Sequence, residues 1–156
     1  MTVMYLPKDQ WSPRFDSTFF SVKIESAQTC SSPPTVREGI GGKTKTPAVY
    51  YEVAVFCEHR KITFLRRYSN FKWLYAQLKA SPPPPLEVED DLYREPPPLS
   101  MPPGTCFFHS QDDAFVTKRK EQLYDFVDDV LSRPGYSKHP AVILFFELDS
   151  FDDRSS

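Results

Sequence analysis

Two guanidinium groups and a phenol ring, Arg66-Arg67-Tyr68, open the stretch of this chain best suited to chemistry. Arginine's planar fork donates two parallel hydrogen bonds to a phosphate or carboxylate, and its charge persists at physiological pH. The ring beside it is either a core or boundary aromatic or a stacking surface for a ring-shaped polyol. If the backbone stays extended through the pair, the two arginines point to opposite faces. One then enters a pocket while the other supports a sheet or meets solvent, the bland alternative being two solvated side chains.

A third arginine stands out by its place. At ~100° per residue, Val116, Leu123, Phe126, Val127 and Val130 share one helix face, and Arg119 falls inside that stripe. A cation there must snorkel out, pair with a carboxylate, or face a cavity that receives an anion. Lys120 lies nearer the stripe edge and reaches water more easily.

No catalytic constellation accompanies these arginines. His59, His109 and His139 stand far apart in unrelated contexts and read as surface or capping residues. The sequence holds no P-loop, GxGxxG, HExxH or GxSxG, and Asp112-Asp113 reads as a helix start. Cys30, Cys57 and Cys106 show no CxxC spacing, so neither a metal site nor a cofactor is expected. Enzymatic function therefore has no supporting residues. Nucleic-acid binding is disfavoured by a pI near 5.9 and by the lack of a basic helix face with stacking aromatics.

The elements that must position the arginines come next. The 156 residues suit one domain with tails, at 1–16 and 150–156, around a folded unit at 17–149. Sixteen prolines against 5 glycines call for stiff, extended loops. The net charge of -2 excludes a global basic field. Locally, His59 to Leu86 contains no acid yet carries Arg60, Lys61, Arg66, Arg67, Lys72 and Lys79, so an anionic ligand meets one patch. Reduced cysteines and an amino terminus without an apolar signal-length stretch point to the cytoplasm. The longest apolar run, Ala141 to Phe146, is too short to span a bilayer, which leaves peripheral contact.

Phe20, Val22 and Ile24 alternate with polar neighbours as a half-buried strand, and a loop is expected from Ser26 to Pro47. Val49–Cys57 and Arg60–Arg67 supply two more strands around a tight link. Ser69 is a suitable N-cap for a helix carrying Phe71, Leu74, Tyr75 and Leu78 on one stripe, stopping at Ser81. Residues 82–103, rich in proline, predict polyproline-II. A longer helix is expected from Asp112 or Asp113 to about Leu131, and a last one from Pro140 to about Leu148. The fold class is α+β: a three-stranded antiparallel sheet packed on a helical subdomain, with a polyproline-II loop between the first and second helices.

This order, with RRYSNFKWL (Arg66 to Leu74) at its centre, resembles the phox-homology (PX) domain over roughly residues 18–148. The run is similar to the RRYxxFxxL signature of sorting nexins. The resemblance implies that Arg67 grips the 3-phosphate of phosphatidylinositol 3-phosphate, that Tyr68 stacks on the inositol ring, and that Arg119 binds ring hydroxyls. It also implies a peripheral protein of endosomal membranes that works in protein sorting.

Two departures qualify this. The family's proline segment ends in a PPLPGK-like stretch whose Lys contacts the 1-phosphate, and Thr105 stands where that Lys belongs. A lost charge-assisted hydrogen bond costs about 1.5–3 kcal/mol, or roughly ten- to a hundred-fold in affinity. Lys118, Lys120, Lys43 and Lys45 are the candidates to compensate. The membrane-inserting loop supplies Leu86, Val88, Leu92 and Tyr93, but Glu87, Glu89, Asp90 and Asp91 surround them and oppose docking on an anionic leaflet. The alternative function is a PX-fold protein-interaction module with weak or lost lipid binding. Its proline-rich loop would then serve as a ligand for SH3- or WW-type partners or for cargo.

Overall fold

The computed structural model describes residues 4–5, 19–30, 40, 48–57, 60–83, 98–102, 113–133 and 135–151. Four strands, β1 (Met4–Tyr5), β2 (Phe19–Cys30), β3 (Ala48–Cys57) and β4 (Arg60–Arg67), form one sheet in the order β1-β2-β3-β4. Three helices follow: α1 (Tyr68–Ala80), α2 (Asp113–Ser132) and α3 (Pro140–Phe145). The expected antiparallel three-stranded sheet is β2-β3-β4. The amino-terminal segment, expected as an irregular tail, adds the two-residue β1 parallel to β2. Tyr5 fastens it, since its hydroxyl donates to the Asp128 carboxylate at 2.6 Å and its ring meets Phe20 edge-on at 5.6 Å. Burial, and secondarily Asp128, push the Tyr5 phenol well above its ordinary pKa.

Period-two alternation explains the inner face of the sheet. Phe20, Val22 and Ile24 pair with Cys57, Val55 and Val53, and all are buried. The register shifts between Ile24 and Ser26, and β2 continues to Cys30 where a loop was expected. The bulge explains that correction. One extra residue reverses the parity, so Ala27 rather than Ser26 packs toward the core, and the apolar alternation is lost to the eye. β3 lies between two neighbours and is buried on both faces, with Tyr50 and Ala54 opposite the core-facing Tyr51, Val53 and Val55.

Helical stripes cover the inner face. Phe71, Leu74 and Leu78 of α1 join Leu123, Phe126, Val127 and Val130 of α2 and Ala141, Val142 and Phe145 of α3 in one cluster. Each large apolar side chain buried there contributes about 1.5–3 kcal/mol. Edge-on ring pairs run through it, Tyr51–Phe71 at 6.4 Å and Phe71–Phe145 at 5.0 Å. β4 therefore meets both α1, which it enters directly, and the end of α3, which lies under it.

Two helix ends differ from expectation. The N-cap of α1 is Arg67, not Ser69, because β4 runs into the helix with no intervening loop. Asn70 Oδ1 accepts the Arg67 N–H at 2.9 Å and does the capping from inside the first turn. α3 ends at Phe145 rather than Leu148, and Glu147 at φ 54° turns the chain into a 3-10 turn at Leu148–Phe151. His139 caps the start of α3. Its Nδ1 accepts from the Ala141 N–H at 3.0 Å and its Nε2 donates to the Ser81 carbonyl at 2.7 Å. Of the segment expected to be polyproline-II, 84–97 and 103 lie outside the described residues. Among the described residues no helix is long and apolar enough to cross a membrane.

Candidate functional site

The site is built where β4 becomes α1. Arg66 pairs with Tyr51 and Arg67 with Tyr50, so the two arginines leave opposite faces of the sheet. Arg66 turns inward and is 1% exposed. Its Nε and Nη2 donate to the Phe145 carbonyl at 3.2 and 2.8 Å, Nη2 also meets Glu147 Oε2 at 3.0 Å, and Nη1 donates to the Leu65 carbonyl at 2.9 Å. Phe64 lies against it, with the guanidinium carbon 4.2 Å from the ring centre. This arginine is the supporting member of the pair. Arg67 is half-buried, with extended backbone at φ -99° and ψ 168°.

Tyr68 begins α1 and is held at both ends. Its hydroxyl donates to the Pro102 carbonyl at 2.6 Å, tying the helix to the end of the proline segment. The Arg119 guanidinium carbon lies 4.1 Å from the centre of the Tyr68 ring and 4.6 Å from that of Phe115. Arg119 is 4% exposed, so the cation inside the α2 stripe does not snorkel to solvent but sits against two aromatic rings. Cation–π contacts of this kind contribute about 0.5–2 kcal/mol each, more when desolvated. Burial pushes the Tyr51 phenol up to about 12, and the Arg119 charge pulls the other way. A tyrosine expected to carry ring stacking thus has Arg119 as its stacking partner here.

The structure therefore brings Tyr68 and Arg119 into contact and sets Arg67 next to Tyr68 on the chain. Thr105, Leu86, Val88, Leu92 and Tyr93 lie outside the described residues, as do Lys43 and Lys45. Lys118 is exposed, whereas Lys120 leans toward the Glu25 carbonyl at 3.5 Å. Among the described residues no group of His, Cys, Asp and Glu is arranged to hold a metal ion. A groove of about 350 Å³ between Ser100–Pro102 and α2 carries Asp125 and Asp129, which suit no phosphate.

Asn70, Phe115, Tyr51 and Glu147 belong to the same neighbourhood, though the sequence pattern does not mark them as site residues. Phe115 had a readable signal, since it stands four residues before Arg119 on the same helix and i,i+4 neighbours touch. Glu147 had none.

Residues 55–149 match the PX domain family. The chain belongs to that family. No curated protein matches it. Among solved structures it is similar to a designed CISK-PX domain, at 22% identity and a TM-score of 0.54, over 80% of this chain and 95% of that one. That likeness concerns the fold. PX domains are, in general, phosphoinositide-binding modules of membrane trafficking, and that general character comes with membership of the family.

Proposed function

We propose that this PX domain reads phosphatidylinositol 3-phosphate on the cytoplasmic face of endosomes and serves protein sorting there. Arg67 grips the 3-phosphate, Tyr68 provides a ring wall for the inositol, and Arg119 donates to ring hydroxyls. The observation that carries the reading is the contact of Arg119 with Tyr68 at 4.1 Å, which joins α2 to the β4–α1 junction. Thr105 in place of a lysine lowers affinity by roughly ten- to a hundred-fold. Leu86, Val88, Leu92 and Tyr93 supply the membrane contact, and repeated or multivalent engagement makes up for a weak single headgroup.

Flotation with liposomes containing phosphatidylinositol 3-phosphate tests this. The wild type floats with them, and Arg67→Ala stays at the bottom. Equal flotation of both proteins, or of neither, sinks the reading.

One observation favours a second reading, that of a protein-interaction module. At the end of the proline segment Pro98 and Ser100 are exposed on either side of the half-buried Leu99, so this stretch offers itself to an SH3- or WW-type partner. A pull-down that survives Arg67→Ala but fails when Pro96–Pro98 are replaced supports that alternative.

A further inference from the structure

We infer that Glu147 and Asn70 are positioning residues for Arg67, clamping the peptide that joins Arg66 to Arg67 from two sides. The inference rests on the reading of Arg67 as the phosphate ligand. It makes the turn after α3, far along the chain, a working part of the headgroup site.

The first half of the clamp is the Arg66 side chain. Its donors are taken by the Leu65 and Phe145 carbonyls and the Glu147 carboxylate, so its charge is spent inside the protein. Its contacts converge on one turn, with two donors on the Phe145 carbonyl and a third contact on the Glu147 carboxylate. Glu147 adopts φ 54°, a left-handed conformation that side chains other than glycine rarely take. In that conformation its carboxylate reaches Arg66, on the same guanidinium that takes the carbonyl two residues earlier. The turn is shaped around the arginine. The end of β4 is thereby fixed to the end of α3.

The second half is Asn70, which is 3% exposed and accepts the Arg67 N–H through Oδ1 at 2.9 Å. Between the two holds the backbone at Arg67 is set at φ -99° and ψ 168°, which fixes the Cα–Cβ direction from which its side chain starts. Bidentate phosphate recognition depends on that direction, because both N–H groups must meet oxygens in one plane. The amide of Asn70 also accepts without adding charge.

The experiment uses the full chain and vesicles with or without phosphatidylinositol 3-phosphate, phosphatidylserine being constant, alongside thermal melts. Glu147→Gln, Glu147→Gly and Asn70→Ala are each expected to lose ~tenfold in affinity for the phosphoinositide vesicles, the loss of about one well-aimed charge-assisted bond. Binding to phosphatidylserine vesicles is expected to stay unchanged. Glu147→Gly separates positioning from stability, because glycine relieves the positive φ and raises the melting temperature above that of Glu147→Gln without restoring affinity. If affinity is unchanged in Glu147→Gly and Asn70→Ala while Arg67→Ala abolishes binding, the clamp is refuted and the ligand role of Arg67 survives. If Arg67→Ala binds like the wild type, the underlying reading fails first, and the clamp with it.

Discussion

The same substitution at two adjacent positions should produce opposite phenotypes. Methionine roughly preserves the length and apolar stem of arginine while removing the charge and all five donors. At position 66 it would strip two hydrogen bonds from the Phe145 carbonyl and the cation from Glu147. Breaking a buried ion pair by deleting one partner costs about 3–5 kcal/mol, because the partner is left uncompensated. Glu147 retains 29% side-chain exposure, so water recovers part of its solvation and the low end applies, about 3 kcal/mol. For a domain of this size each kcal/mol lowers the melting temperature by about 2–4 °C, which predicts a drop of about 6–12 °C. At position 67, which is half-buried, Arg67→Met should cost no more than about 1 kcal/mol and, on the proposed reading, abolish phosphoinositide binding. Urea denaturation read by tryptophan fluorescence, paired with vesicle sedimentation, measures both quantities. A loss below about 1 kcal/mol for Arg66→Met would refute the structural assignment of that arginine. So would an Arg67→Met protein that is destabilised as strongly as Arg66→Met.

Two other consequences concern pH and helix capping. The Tyr51 phenol has its pKa raised from 10.0 to about 12 in the folded protein, so unfolded chains ionise first as pH climbs. Stability contributed below pH 10 is therefore lost between roughly 10 and 12, and Tyr51→Phe should flatten that alkaline slope in denaturation curves. His139→Ala removes the N-cap of α3 and its bond to the Ser81 carbonyl, and should cost about 1–2 kcal/mol in the same urea assay. His139→Asn, which can still cap, should recover part of that loss.

Much of this fold was legible because its local signals agree. Phe20, Val22 and Ile24 alternate cleanly, and Phe71, Leu74 and Leu78 repeat at helical spacing, so each element declares its buried face. Signals failed where one residue breaks a period. The bulge between Ile24 and Ser26 hid the second half of β2. Ser69 has the chemistry of a cap, but the direct passage of β4 into α1 gives the cap to Arg67 and leaves the Ser69 hydroxyl buried. The site divides along the same line. That Arg66 and Arg67 face opposite ways follows from the strand period, and that Arg119 is out of place follows from its stripe. Which arginine is inside depends on Phe145 and Glu147, 79 and 81 residues from Arg66, and no local pattern carries that information. The stacking of Arg119 on Tyr68 is likewise a tertiary fact.

The central claim is that Arg67 and Arg119, from separate elements, meet one headgroup while Arg66 does not. Titrating the nitrogen-15-labelled protein with soluble inositol 1,3-bisphosphate, and following the arginine Nε–H resonances, tests it most directly. The account predicts that the resonances of Arg67 and Arg119 shift together, saturating at one ligand per chain, while that of Arg66 stays in place. Shifts confined to Arg66, or to arginines outside this site, would contradict it.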